Sequence, residues 1–274
     1  MSGGPGTDPA LAARPRELCD GVRVLFTGRD GGVSTGRYGS LNLSTGVGDD
    51  PAAVAANRDI VLRDLGPGPR TLGWMRQVHG NAVAYLADPP PPAAGAAPQA
   101  AAPQADARAA PQADAVYTDS AAIALGALGA DCAPVLIADP VAGLAGAAHA
   151  GRPGMAAGVL PALIAAMTAA GAQASRMHAV VGPAICGQCY EVPAAMRDEV
   201  GALVPGSACV TRAGTPGLDL RAGLRGQLAR LGVGSVRDDA RCTAESPGLY
   251  SYRRDGTTGR FAGLIWLAPR GRSA

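Results

Sequence analysis

The chain has 274 residues, 24 basic against 22 acidic groups, and a formal net charge of +2. It contains no lysine, which excludes Schiff-base chemistry and a P-loop lysine, so any bound anion must be held by arginine, backbone N–H groups or a metal. The near-balanced charge, the absence of a basic block and the aromatic content of 4% argue against nucleic-acid binding.

In chain order, residues 1–20 are rich in Gly, Pro and Ala and read as a disordered tail with no signal-peptide core. A reducing, cytoplasmic setting follows as an expectation, with the six cysteines as free thiols or metal ligands. Val22 to Thr27 reads as a strand, followed by a glycine-rich loop, Gly28 to Gly36, that lacks the spacing of a dinucleotide or P-loop cradle. Asp50–Pro51 is a helix start, and Val54, Val61 and Leu65 mark the apolar face of a helix stopped by Gly66. Trp74 to Leu86 reads as one or two strands holding His79. The segment 88–113, four prolines followed by Ala-Pro-Gln repeats, is expected to be a disordered insertion. A strand is expected over 121–128 and helices over 153–170, 193–204 and 218–231. Further strands are expected over 177–181 and 261–267. The uncharged run from Pro153 to Ser175 is too poor in Leu, Ile and Phe for a membrane span. Strands and helices mix without strict alternation. The fold class is therefore α+β: a single compact domain over residues 21–270 with mixed β-sheets.

Three residues carry the candidate chemistry. The chain has only three histidines, and two, His79 in QVHG and His149 in AHAG, lie beside glycine in apolar surroundings. Cys132 lies in ADCAP. Two imidazoles and a thiolate form a good ligand set for zinc, with a fourth position open. The strings 132–138 and 143–149 read as two buried strands of a hairpin, with Asp139-Pro140-Val141-Ala142 as a four-residue turn. In that register residue 138 faces 143, and Cys132 faces His149 directly across the ladder. Asp131 would then point to the opposite face and orient a neighbour or cap the strand end. Cys186-Gly-Gln-Cys189 is a CxxC pair with no further ligands at nearby spacing, and reads as structural. For substrate, Arg29 in the glycine-rich loop, Arg58 on the first helix, Arg254 in SYRRDG and Asn42 in SLNL are candidates to hold anion, ribose or base, each with a purely structural alternative.

Several strings together, FTGRDGGVS, YGSLNLSTGVGDDPAAVAANR, MRQVHGNAV, ADAVYTD, GADCAPVLIADP, AAHAG, GPAICGQCYEV, LDLRAGLRGQL and SYRRDGTTGRFAGLIWL, occur in family order from about Phe26 onward. On these the chain resembles the bacterial laccase-domain proteins, also known as multicopper polyphenol oxidoreductases and regarded as purine nucleoside phosphorylases. The resemblance implies one domain of mixed sheets sandwiched between helices. It implies a catalytic metal, usually zinc, with copper as the older assignment, on His79, Cys132 and His149. It implies phosphorolysis of adenosine, inosine, guanosine and methylthioadenosine, with adenosine deamination beside it. The expected partners are a purine nucleoside and phosphate, with no nucleic acid and no membrane, and a monomer is favoured. Two alternatives remain open: a copper-dependent polyphenol oxidase, for which three histidines are too few to build a multicopper cluster, and a hydrolase with Cys132 as nucleophile and His149 as base. One departure stands out. The family motif HAGWRG is here His149-Ala150-Gly151-Arg152-Pro153-Gly154, which puts substrate preference in question.

Overall fold

The computed structural model describes residues 14–88 and 110–268. Among them the strands are β1 (Arg16–Cys19), β2 (Val22–Phe26), β3 (Thr71–Gly73), β4 (Val83–Tyr85), β5 (Ala115–Thr118), β6 (Ile123–Gly129), β7 (Ala133–Asp139), β8 (Leu144–Ala150), β9 (His178–Val181), β10 (Ala208–Val210), β11 (Pro216–Leu218), β12 (Ser235–Asp238) and β13 (Phe261–Leu267). The helices are α1 (Pro51–Asp64), α2 (Arg152–Ala156), α3 (Val159–Ala169), α4 (Ala194–Leu203), α5 (Leu220–Arg230) and α6 (Tyr252–Asp255). One sheet runs β1-β2-β13-β6-β3, a second runs β12-β9-β7-β8-β5-β4, and β10-β11 is a separate hairpin. Both large sheets are mixed: β3–β6, β4–β5 and β12–β9 pair in parallel and the other pairs are antiparallel.

The side-chain period of two explains the layers. On β7, Leu136 and Ala138 face Val24, Leu125 and Ile265 of the first sheet, while Val135 and Ile137 face Leu163, Met167, Leu224 and Leu228 of α3 and α5. The outer face of the first sheet, with Leu25, Leu264 and Trp266, packs on Val61 of α1 and on Leu65, which follows it. The result is helix, sheet, sheet, helix. Strands β7 and β8 are covered on both faces, which is why they read as continuous apolar runs. No described helix is long and apolar enough to cross a membrane.

Local chemistry sets the element ends. Asp50 caps α1 by accepting from the Ala52 N–H, with Pro51 at the first helical position. Asn57, fully buried on α1, accepts from Val33 N and donates to Ser34 Oγ and to the carbonyls of Ser40 and Asn42, and so ties the glycine-rich loop to the helix.

Five expectations need correction. Arg16–Cys19, inside the stretch expected to be a tail, is an edge strand held antiparallel to β2, and Leu18 is buried in the inter-sheet core. Residues 89–109 of the expected insertion lie outside the described residues, but Gln112 bridges to Arg76 and Ala113 is buried. The single helix over 153–170 is two, because Gly158 takes a left-handed conformation at φ 82° between α2 and α3. Pro161 falls in the first turn of α3, where its missing N–H leaves no bond unmade. His79 lies in the β3–β4 connection, not on a strand.

The fifth correction concerns the β7–β8 register. Residue 138 faces 145, and Pro134 rather than Cys132 faces His149. The turn begins one residue later than expected. The Asp139 carboxylate accepts the N–H groups of Val141 and Ala142, so Asp139 still pairs in the ladder, and Gly143 supplies the positive φ at the end of the turn. The new register displaces Cys132 by an even number of places relative to His149, so both stay on the same face as diagonal neighbours.

Gly126 makes room for the indole of Trp74, since a Cβ there would lie 2.3 Å from that ring. Gly126→Val is expected to cost about 1–3 kcal/mol through overpacking, read as a lowered denaturant midpoint at unchanged slope. Unaltered stability would show that the layer is looser than described.

Candidate active site

Cys132, His149 and His79 converge at one end of the inter-sheet space, with ligand atoms all within 4.8 Å of one another. His149 stands near the end of β8, on the face of Ala145 and Ala147. Cys132 follows the tight turn between β6 and β7, where Asp131 has φ 102°. His79 has φ 63°, and that left-handed kink directs its ring toward the other two. Its Nε2 lies 3.9 Å from Cys132 Sγ, and the two imidazoles meet edge to face at 4.7 Å between centroids. The Gly of the HAG string is a spatial requirement, because a Cβ on Gly151 would lie 2.5 Å from Cys132 Sγ.

Asp114 holds the cluster together. It is fully buried, and its carboxylate accepts the His79 N–H at 2.9 Å, the Gly80 N–H at 2.6 Å and the Val78 N–H at 3.2 Å. It also takes His149 Nδ1 at 2.9 Å. The carboxylate thereby fixes the tautomer with the proton on Nδ1 and leaves Nε2 as the nitrogen free to ligate. Burial pushes the Asp114 pKa up, but the bonds from His149 and the loop N–H groups outweigh it and the net shift is down. Asp114 lies at the start of ADAVYTD, and sequence reasoning did not single it out. The only signal was a carboxylate next to a strand with an otherwise apolar inner face.

The charge balance is that of a ligand site. Burial raises the Cys132 thiol, yet the hydrogen bonds and positive charge of His149 and His79 bring it down to about 6. His149 is pushed down by burial and up by Asp114 and Cys132, and the latter win, at about 9. The metal-free cluster is thus a thiolate beside an imidazolium, and a cation on the three donors replaces the His149 proton. Two imidazole nitrogens and a thiolate within this span fit one borderline-soft ion, with a position to spare.

The trio opens on a cavity of about 1750 Å3. Its lining includes Arg58, Arg76, Arg152, Arg253, Arg260, Tyr190, Tyr252 and Trp74. Arg58 therefore reaches the cavity wall, stacked over Trp74 at 4.7 Å, but its Nε and Nη2 donate to the Leu43 carbonyl. The other three candidates do not line the cavity. Asn42 is fully buried, donating to Ser44 O and Asp49 and accepting from Ser44 N and Arg260 N. Arg29 donates to Gly39 O and lies over the Tyr250 ring. Arg254 is committed to the carbonyls of Thr243, Ser246 and Leu249 and to Asp255. Besides Arg58 and Arg76, the lining arginines are Arg152, from the altered HAGRPG string, Arg253, which donates to Glu191 O, and Arg260, which donates to the carbonyls of Thr258 and Gly259. Asp131 accepts from Thr243 Oγ1, Ser251 Oγ and Arg253 N, and so ties the Cys132 turn to the loops around 243 and 253.

Asp114→Asn is expected to keep the fold and to weaken zinc affinity about 10- to 100-fold, measured by competition with a chromophoric chelator. Unchanged affinity would remove Asp114 from the account.

A family model described as multi-copper polyphenol oxidoreductase laccase matches residues 23–268. A purine nucleoside phosphorylase of Streptomyces griseus is 52% identical over 254 residues, covering 93% of this chain and 98% of that protein. A purine nucleoside phosphorylase of Streptomyces coelicolor is 49% identical, covering 92% and 98%. The crystal structure of YlmD from Geobacillus stearothermophilus superposes with a TM-score of 0.80 at 31% identity, covering 93% of this chain and 94% of that one. The matched span takes in all three converging donors, the whole of the second sheet and the first sheet from Arg23 of β2 onward, and the chain belongs to the multi-copper polyphenol oxidoreductase laccase family.

Proposed function

We propose that this protein is a zinc-dependent purine nucleoside phosphorylase, converting adenosine, inosine, guanosine or methylthioadenosine and phosphate to free base and ribose 1-phosphate. The observation that carries the reading is a three-donor site, His79, Cys132 and His149, facing an arginine-lined cavity large enough for a nucleoside. The relatives named purine nucleoside phosphorylase support it.

The bond to be broken joins ribose C1′ to a base nitrogen, through a transition state with positive charge on the sugar, and phosphate attacks from the other side. His79, Cys132 and His149 would hold zinc, which would supply Lewis acidity to the site. The rest of the task falls to the chain's own groups. Arg152, Arg253 and Arg260 offer the positive charge that draws in phosphate, and none has a carboxylate partner among the described ion pairs. Tyr190 and Tyr252 give the same wall flat surfaces for a purine, and Arg253 lies over the Tyr190 ring at 5.1 Å. Asp114 keeps both imidazoles aimed and holds a proton on His149 Nδ1, which turns Nε2 toward the ion. Adenosine deamination on the same site is part of the proposal: a metal held by His79, Cys132 and His149 would supply the Lewis acidity for hydrolytic replacement of the C6 amino group by water, with release of ammonia. The reading also includes a cytoplasmic setting.

The thiolate–imidazolium pair favours one further reading, a Cys132–His149 hydrolase. Metal dependence separates the two. Purified protein is incubated with adenosine or inosine, with and without phosphate, and the products are resolved by chromatography. The expected result is phosphate-dependent release of base and ribose 1-phosphate, abolished by chelation and restored by zinc. His79→Ala is expected to lower kcat/KM by more than about 100-fold, beyond what loss of an outer partner gives. Metal-free protein that hydrolyses substrate and is inactivated by iodoacetamide would establish the hydrolase instead, and a protein releasing none of these products would reject the phosphorylase.

A further inference from the structure

Four more ligand atoms meet elsewhere in the fold. Cys186, Cys189, Cys242 and Glu245 place one ligand atom each within 4.8 Å of one another, as a group separate from the His79 cluster. The CxxC pair is therefore not isolated, as its sequence neighbourhood implies. The missing partners arrive from a loop 56 residues beyond Cys186.

Two turns build the cluster. In the first, the N–H groups of Cys189 and Tyr190 both donate to Cys186 O, at 2.9 and 3.0 Å, and curl the CxxC segment so that its sulfurs share one side. In the second, Glu245 N and Ser246 N donate to Cys242 O, at 3.2 and 2.9 Å, and bring Glu245 round beside Cys242. The turns are joined by an Ala184–Cys242 bridge and by the Cys186 N–H, which points at Cys242 Sγ from 3.4 Å. Arg212 grips Glu245 Oε1, which leaves Oε2 facing the sulfurs, 3.9 Å from Cys186 Sγ.

The chemistry of the set is specific. Three thiolates and a carboxylate select zinc or another thiophilic ion over magnesium or calcium. Four protein ligands make a closed, structural site, whereas the three at His79, Cys132 and His149 leave a position for substrate. We propose that Cys186, Cys189, Cys242 and Glu245 form a second, structural zinc site that braces the wall of the active-site cavity. The bracing path is short. Ile185, next to Cys186, lines the cavity and donates its N–H to Asp131 O at 3.0 Å. Thr243, next to Cys242, donates to the Asp131 carboxylate at 2.6 Å, and Asp131 precedes Cys132. Both turns of the cluster thus hold the residue that sets the Cys132 turn.

The test uses full-length protein loaded with zinc, desalted and analysed for metal. Wild type is expected to retain two zinc ions per chain, Cys132→Ala one, and Cys132→Ala/Cys242→Ser none. In Cys132→Ala, Glu245→Gln is expected to bind zinc more weakly in chelator competition while retaining the fold. Cobalt loaded into Cys132→Ala provides a check that needs no second variant: thiolate-to-cobalt charge-transfer absorption of a tetrahedral, sulfur-rich site is expected, and zinc is expected to displace it. Folded Cys132→Ala that retains no zinc, cobalt bound without thiolate absorption, or a Cys186–Cys189 disulfide in protein purified without reductant would each overturn the proposal. Because Cys132→Ala has already lost one ligand of the first site, none of these outcomes depends on the catalytic reading.

Discussion

One buried carboxylate organises the active site. Asp114 is fully enclosed, and every bond it accepts comes from the two segments that must meet there: the 78–80 loop through backbone N–H groups, and β8 through the His149 ring. A buried charge without such partners would cost several kcal/mol, so the loop and the strand end are held to the geometry that satisfies it. The left-handed conformation of His79 is one consequence. Another is electrostatic. Asp114 supports the charge on His149, and His149 with His79 supports the Cys132 thiolate. The sulfur is thus held as a thiolate before any ion arrives, and an ion bound there would displace the proton on His149 Nε2.

The layered fold provides the location. Two mixed sheets packed face to face leave a space at the end of the inter-sheet core, and Gly151 keeps room there for Cys132. The two groups of ligands then divide the labour. The trio with three donors opens on the cavity, and the four-donor group proposed as a second metal site lies behind the wall that carries Asp131 and Ile185, with Thr243 bonded to Asp131 from behind it. Arginine does the work that lysine does in many anion sites. Arg29 and Arg254 tie loops together through backbone carbonyls away from the cavity, while Arg58, Arg152, Arg253 and Arg260 line it, with Arg58, Arg253 and Arg260 also donating to carbonyls.

Much of this was legible in the sequence, and the failures have physical causes. The apolar runs of β7, β8 and β13 and the caps of α1 are local signals, and the structure bears them out. The His79, Cys132 and His149 trio stood out because histidine is rare in this chain and glycine sits beside it. The hairpin register was misplaced because Asp139 serves as both strand residue and turn acceptor, a double role that residue type alone does not reveal. The trio survived that error only because the displacement kept its face. Asp114 and the Cys242–Glu245 turn were missed since their meaning comes from partners 35 and more residues away. Motif position favoured Arg29 and Arg254, but whether a guanidinium faces solvent, a ligand or a carbonyl is decided by tertiary packing.

The central claim is that two imidazoles and a sulfur from three separate segments share one ion that they do not fully enclose. An anomalous-difference map from zinc-loaded crystals soaked with phosphate and a nucleoside tests it most directly. The account predicts a zinc peak bonded to His79, Cys132 and His149, with a remaining coordination position turned toward the cavity. Crystals with no peak there at full zinc loading, or an ion at that place completed by a fourth protein ligand, would contradict it.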